Sequence, residues 1–419
     1  MQMNFSCAIV LCALSATLLE AEPTAGWPQW RGPTRDGISN ETGLLKEWKG
    51  AGPPVLWRAD GLGGGFSSVV ISDGRIFTLG QFDGITHLIA LDVNGGKELW
   101  RVEVGPGEPN CTPTVADDLV FCLGREGELV CVHASNGREI WRKSFPRDFG
   151  GKMMSGWGFS ESPLVDGDKL ICTPGGNDAV IVALEKSTGK EIWRAKLPDE
   201  IGGKGKDGAA YSSVVISEAS GLRQYVQLTG RGVISVAAKD GRFLWSYNRI
   251  ANPTANVPTP IAYEDYIFCS TGYGTGAALL KLSSDNKGSM KAEEVYFLEP
   301  KTLQNHHGGM ILLDGRIYCG HGHNRGAPIC VDLKTGEVEW ISKKAPGGGS
   351  AAVVYADGHF YFRYEDGVVA LIEANPKQFV LKGTFETATK NGKGWPHPAI
   401  ADGKLYMRDQ GTLLCYTIR

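Results

Sequence analysis

The chain is predicted to be all-β and closed into a propeller of eight four-stranded blades, on three observations. A phrase at residues 90–101, ALDVNGGKELWR, returns at residues 131–142 and again ending in Trp193, Trp245 and Trp340. In all five copies a Gly stands four residues before the Trp: Gly96, Gly137, Gly189, Gly241 and Gly336. The Trp spacings are 41, 52, 52 and 95 residues, the last about two periods, with Tyr296 in the gap. Repeats of that length built from short strands make propellers or solenoids. Each copy reads as a hairpin. A short apolar strand ends, a turn that needs φ > 0 takes Asn-Gly or Thr-Gly, and an outer strand carries a large indole.

Taken in order, residues 7–19 (CAIVLCALSATLL) form an apolar block too short to span a bilayer. The block reads as the core of a signal peptide over residues 1–21, cut after Ala21, so export to the periplasm or outside is expected. Residues 22–52 precede the first repeat. Within them Trp27-Pro28-Gln29-Trp30-Arg31-Gly32-Pro33 cannot be a regular strand with Pro near both ends. It is expected to strap over one end of the ring. Residues 53–419 form the propeller. Blade 1 is expected to run Phe66–Ile71, Arg75–Leu79, Leu88–Leu91 and Glu98–Glu103 from the axis outward. Outer strands are marked by Trp57, Trp100, Trp141, Trp193, Trp245, Tyr296, Trp340 and a worn copy at Phe379-Val380. Trp57 has no strands before it, and Leu413-Leu414-Cys415-Tyr416 has no outer strand after it. The two ends therefore complete one blade, which removes the open edges of an incomplete ring.

Composition sets limits. The 57 Gly suit an all-β chain with many tight turns. A net charge of −3, without a basic run, speaks against nucleic acid and anionic membrane surfaces as partners. No segment is apolar for long enough to make this a membrane-spanning chain. Of ten Cys, Cys122, Cys172, Cys269 and Cys319 share one repeat position, and Cys131, Cys330 and Cys415 share another. These are small packing positions. Cys122 with Cys131, and Cys319 with Cys330, lie on adjacent strands and are the candidate bridges.

An up-and-down blade places its first and third turns on one face of the ring, and its blade-to-blade connections and middle loops on the other. Asp-Gly and Asn-Gly turns dominate the first face. The unusual residues fall on the second, where a funnel near the axis is the natural ligand site. Five of the eight His lie there: His306, His307, His321, His323 and His397. His321 and His323, two apart, point to one side if the segment is extended. Vicinal His306 and His307 face opposite ways if they lie on a strand. Neutral imidazoles from such loops either bind a divalent metal (His306, His321 and His323) or form a polar loop satisfied by backbone groups. One of them can also act as a base beside Asp409 or Glu161. Arg363 and Arg408 share one repeat position; they either clamp an anionic or carbonyl group or pair with Glu365 and Asp409. Trp157, Tyr273 and Trp395 either stack on a planar ring or sugar or pack on neighbouring loops.

The phrase Ala-x-Asp-x-x-x-Gly-x-x-x-Trp at residues 90–100 resembles the tryptophan-docking repeat of the quinoprotein-like propellers, the pyrroloquinoline quinone (PQQ) repeat proteins, over about residues 53–419. Residues 27–33, Asn305-His306-His307-Gly308-Gly309 and Arg408-Asp409-Gln410 are similar to segments of its secreted, planctomycete-type members. The resemblance implies the eight-bladed fold. In the family's alcohol dehydrogenases it implies a quinone and a calcium in the axial funnel, Glu and Asn ligands, a catalytic Asp, and a Trp with a vicinal disulfide around the quinone. Glu161 and Asn256 are the counterparts of the calcium ligands, and His306, His307 or Asp409 takes the substrate proton. No vicinal Cys pair occurs. The assembly lipoprotein of the Bam machinery has the same ring without a cofactor. Three readings therefore stand. One is a quinoprotein-like oxidoreductase on an alcohol or sugar. The second is a non-catalytic scaffold for a protein or glycan partner. The third is a metal-dependent enzyme acting on sugars. The expected ligand-contacting set is Trp157, Glu161, Asn256, Tyr273, Asn305, Arg363, His397 and Arg408.

Overall fold

Short apolar runs separated by Asp-Gly turns give antiparallel ladders too narrow to bury both faces alone, so they stack around an axis. The structure, a computed structural model, describes residues 26–285 and 289–419. The expected signal peptide, residues 1–21, lies outside the described residues. Eight sheets of four strands form the blades of a propeller, one sheet gaining a fifth strand. Blade 1 consists of Val70–Ser72, Arg75–Phe82, Ile85–Asp92 and Glu98–Pro106. Its inner strand is shorter than expected, because the Leu79 N–H donates to the Ser67 hydroxyl (3.1 Å) in place of a ladder carbonyl. Val55–Ala59 pairs with Thr412–Thr417, setting Trp57 opposite Cys415, and so the two ends close the ring in blade 8 as expected.

The repeated Gly does more than turn the chain. Gly137 has φ +73°, and a Cβ there would lie 2.7 Å from the Trp100 ring of the preceding blade. The same seat joins Trp57 to Gly96, Trp141 to Gly189, Trp193 to Gly241 and Tyr296 to Gly336. Each indole thus latches one blade to the next. Where the ring can reach a carbonyl of that next blade it donates to it, as Trp141 Nε1 does to Lys186 O (2.9 Å) and Trp340 Nε1 to Asn375 O (2.9 Å). Phe379 is not the indole of blade 7. It packs on Trp340 at 5.8 Å, and the outer strand begins only at Leu381. Gly383 stands opposite Leu371, the register in which Trp100 stands opposite Ala90.

A second interblade device rings the axis. The backbone N–H of His397 donates to Ser68 Oγ (2.7 Å), Ser68 to Thr112 Oγ1 (3.1 Å), and Thr112 to Ser162 Oγ (3.3 Å). Ser162 continues to Ser213 Oγ (2.9 Å), and Ser213 to Thr259 Oγ1 (3.0 Å). Five successive seams are stitched this way, which satisfies backbone groups that leave the ladders.

Residues 27–39 do not lie over one end of the ring; they enter its axial hole. Trp27 exchanges both backbone hydrogen bonds with Ile71 of blade 1, and Pro28 O accepts from Val115 of blade 2. Arg35 donates to Ser162 O (2.7 Å) and Pro163 O (3.1 Å) of blade 3, and Arg31 to Met310 O of blade 6. Ile38–Ser39 then adds in parallel to Ala351–Ala356 of blade 7. Trp27, Arg31 and Arg35 are buried. Carbonyls of the inner strands and their approaches face the segment, and the two guanidinium groups donate to them.

The eight described Cys are free and buried. Neither candidate bridge forms. Cys131 pairs with Phe121 while Cys122 pairs with Val130, so Cys122 and Cys131 point to opposite faces of their sheet. Cys319 and Cys330 are related in the same way. Among the described residues no helix is long and apolar enough to cross a membrane.

Candidate functional site

The expected face carries a cup of about 320 Å³ near the axis. Its lining includes Trp30, brought there by the inserted N-terminal segment. Its wall is aromatic: Phe66, Trp157, Tyr211, Tyr273 and Trp395. Ser68, Thr112, Ser213 and Thr259 of the hydroxyl girdle lie at its base. No Asp or Glu lines it, and Lys393 is its one cationic side chain.

Four of the five expected His converge here: His306, His307, His323 and His397. Tyr273 touches two of them, His306 and His323. It sits in the turn between Tyr266–Thr271 and Gly276–Ser284 at φ +56°, which tips its ring inward. The Tyr273 hydroxyl lies 3.1 Å from His306 Nε2, and the Ser350 hydroxyl lies 2.7 Å from His306 Nδ1. The His306 ring centroid is 3.7 Å from that of His307 and 4.0 Å from that of His323. Vicinal His306 and His307 both reach the cup because the chain has not yet entered strand Met310–Leu313, so strand alternation does not apply.

His321 and His323 do not act as a pair. His321 ends strand Arg316–His321, and its Nδ1 accepts from the Gln304 N–H (3.2 Å). His323 follows Gly322 (φ +91°) in a tight helical turn, which sends its ring the other way, onto Tyr273 at 4.5 Å. A pair two residues apart shares a side only in extended backbone.

Burial sets the charge state of the cluster. His306 is pushed down to about 2 by burial and then by the His307 and His323 charges. His307 falls to about 3 by burial and then Lys393. His397 falls to about 3 by burial and then Arg31. Burial also lowers His321 and His323. The imidazoles are therefore neutral at neutral pH, each with one donor and one acceptor nitrogen.

Sequence reasoning did not single out Ser350, Trp30, Lys393 or Glu365 as members of this site. Glu365 follows strand His359–Tyr364 on the same face, so its place was readable from topology. Its Oε1 accepts from the Ser350 N–H (3.1 Å), and Lys393 Nζ lies 3.3 Å from Oε2. Burial alone would raise the Glu365 carboxyl; the Trp395 indole, the Ser350 amide and Lys393 outweigh it and hold it below the ordinary value.

The remaining expected residues lie outside the cup. Arg408 is fully buried and donates to Gln410 O, Thr78 Oγ1, Leu79 O, Leu62 O and Gly63 O, so it joins blade 8 to blade 1 rather than holding an anion. Arg363 donates to Pro396 O (2.9 Å) in the same manner. Neither pairs with a neighbouring carboxylate: Asp409 Oδ2 accepts from the Asn391 N–H (2.8 Å), and Glu365 takes Lys393. Asp409 thus holds the loop at Asn391. Asn305 Nδ2 donates to Gly320 O (2.9 Å).

Glu161 and Asn256 test the quinone and calcium that the resemblance implies. Asn256 Oδ1 already accepts from both Asn252 N (3.0 Å) and Asn252 Nδ2 (2.9 Å), which uses its two lone pairs. Glu161 accepts from the Thr173 N–H through one oxygen, and the other, buried, has no partner. Burial raises this carboxyl to about 7, against the pull of the Thr173 hydrogen bonds and Arg35. Calcium takes 6–8 oxygen ligands, and the cup offers no carboxylate. With no paired Cys to cover a quinone face either, these residues do not fit the calcium–quinone pair.

Comparison with known proteins agrees with the ring. A PQQ-type repeat family model described as outer membrane protein assembly factor BamB matches residues 50–124 and 86–342, more than half of the chain. The chain is similar to BamB of Shewanella oneidensis, 25% identical over 267 residues, or 60% of this chain and 62% of that protein. It is also similar to a quinoprotein ethanol dehydrogenase of Pseudomonas aeruginosa, 27% identical over 143 residues, or 30% of this chain and 22% of that protein. The matches thus span less than two thirds of either relative. In structure it resembles a quinohemoprotein alcohol dehydrogenase from Comamonas testosteroni, with TM-score 0.65 at 12% identity over 96% of this chain and 81% of that one, a likeness of fold. The chain belongs to the PQQ-like β-propeller repeat family.

Proposed function

We propose that this protein is an exported, non-catalytic recognition propeller whose cup binds a small, uncharged carbohydrate. The observation that carries the reading is the cup lining: aromatic faces from Trp30, Phe66, Trp157 and Trp395 with neutral imidazoles and hydroxyls between them, and no carboxylate. Aromatic faces hold the C–H faces of a sugar ring, while Asn110, Ser160 and Asn324 offer both donors and acceptors to its hydroxyls. A volume of about 320 Å³ suits one or two sugar rings. The test is calorimetry of the chain against a panel of neutral mono- and disaccharides. Trp395→Ala is expected to weaken the best ligand by about tenfold or more, the effect of roughly 1.4 kcal/mol. No binding to any neutral sugar at millimolar concentration would discard the reading. A quinone-dependent oxidoreductase predicts instead saturable binding of PQQ with calcium, which the donor set argues against.

A protein partner is the second reading, supported by the BamB family match and by Trp157, 56% exposed on the rim of the cup. It predicts a partner whose binding is lost in Trp157→Ala and unaffected by saturating sugar.

A further inference from the structure

His306, His307 and Glu365 bring one imidazole nitrogen each and one carboxylate oxygen within 4.8 Å of one another. The three come from two blades. His306 and His307 precede the inner strand of blade 6, and Glu365 follows the second strand of blade 7. One serine serves two of them: the Ser350 hydroxyl meets His306 Nδ1 at 2.7 Å, and the Ser350 N–H meets Glu365 Oε1 at 3.1 Å. Such an outer partner fixes the ring and leaves the other nitrogen, Nε2, as the ligand atom. Nε2 meets the Tyr273 hydroxyl at 3.1 Å, a neutral contact that a cation replaces. Glu365 is also held by the Trp395 indole and by Lys393, whose ammonium is the one positive group at the site and sits on a 60% exposed side chain.

We propose that His306 and His307, which line the cup, and Glu365, which lies behind its lining, form a binding site for one divalent d-block cation of the zinc class. Two imidazoles and one carboxylate are a donor set for zinc, cobalt(II) or nickel(II), and a poor one for calcium or magnesium, which require mostly oxygen. A tetrahedral ion holds its ligand atoms about 3.4 Å apart, so the three, already within 4.8 Å of one another, have only to draw inward. Since His306 and His307 line the cup, the remaining coordination position opens into it. The site does not rest on the carbohydrate reading, because its ligands are complete without a sugar.

The test uses the full chain, stripped with a chelator and titrated with cobalt(II) chloride, then with zinc chloride in competition. Binding of one equivalent, with visible d–d bands that zinc abolishes and calcium leaves unchanged, is the expected result. Glu365→Gln keeps the shape of the side chain and is expected to abolish the bands. Ser350→Ala is expected to weaken zinc about tenfold or more, as loss of an outer partner does. His306→Ala is read only if its far-UV circular dichroism matches that of the parent; Glu365→Gln decides if it does not. No stoichiometric cobalt binding, or binding undiminished in Glu365→Gln, overturns the site. Sugar calorimetry on the chelator-stripped protein reports on the cup separately, so either proposal can fail alone.

Discussion

Trp48 lies on Gly383: a Cβ at Gly383 would come within 2.6 Å of the Trp48 carbonyl oxygen and 2.8 Å of its Cβ. The Trp48 indole meets Tyr361 edge-on at 5.6 Å and Phe385 at 5.0 Å, and its backbone N–H donates to Lys382 O (3.0 Å). Tyr361 occupies the strand position that Phe77 occupies against Trp100. Blade 7 therefore takes its indole from the N-terminal segment, and Gly383 is the space left for it.

Removing that indole opens a cavity in a core it shares with three blades. Trp48→Ala is expected to cost about 3–5 kcal/mol. Gly383→Ala, which forces the segment away, is expected to cost about 1–3 kcal/mol. Urea denaturation at equilibrium measures both. A loss below about 1 kcal/mol for Trp48→Ala would show that the segment is not part of the core.

Arg408 makes five hydrogen bonds and is held down to about 9 by burial. Arg408→Lys keeps the charge and loses the planar fork, leaving buried carbonyls without donors at about 1–3 kcal/mol each. Thermal unfolding should show a large loss of stability, with unchanged affinity for any cup ligand in the folded fraction. A selective loss of ligand with normal stability would restore Arg408 as an anion clamp.

The pH dependence follows from His306, His307 and His397, held at about 2, 3 and 3 against 6.5 in the unfolded chain. Below 6.5 the unfolded state takes up protons that the folded state refuses. Their contribution is complete above 6.5 and is lost as pH falls toward 3, by up to about 1.4 kcal/mol per unit for each group. Glu161 acts in the opposite sense. Its carboxyl, raised to about 7 from 4.5, contributes stability that is present below 4.5 and lost as pH rises through 7. Three groups outweigh one, so stability at pH 5 should be below that at pH 7.5, and Glu161→Gln should widen the gap. Equal stability at both values would count against neutral buried imidazoles.

The eight described Cys offer a simple check of the ladder register. A thiol reagent such as DTNB should find them unreactive in the native protein and reactive in denaturant without reductant. Native thiols titrating quickly, or two missing after denaturation, would contradict the opposite-facing placement of Cys122 and Cys131.

The sequence by itself determined the ring. A repeat that sets Gly four residues before Trp needs a neighbour to receive each indole; counting its five copies together with the outer strands at Trp57, Tyr296 and Phe379-Val380 gives the number of blades, and the split of blade 8 gives the closure. It also sorted the loops between two faces, because antiparallel order is local. Tertiary structure decided which polar residues of the correct face meet. His306 and His307 converge with Glu365 because the chain there is not yet a strand, and His321 and His323 part because Gly322 turns it. Arg363, Arg408 and Asn256 look functional as letters, yet carbonyls from neighbouring segments take their hydrogen bonds. Trp48 and Trp30 carry no repeat signature, and only the route of residues 27–48 through the axial hole and around blade 7 gives them their places. Periodicity reports contacts repeated at fixed spacing; a side chain's partner across hundreds of residues leaves no such trace.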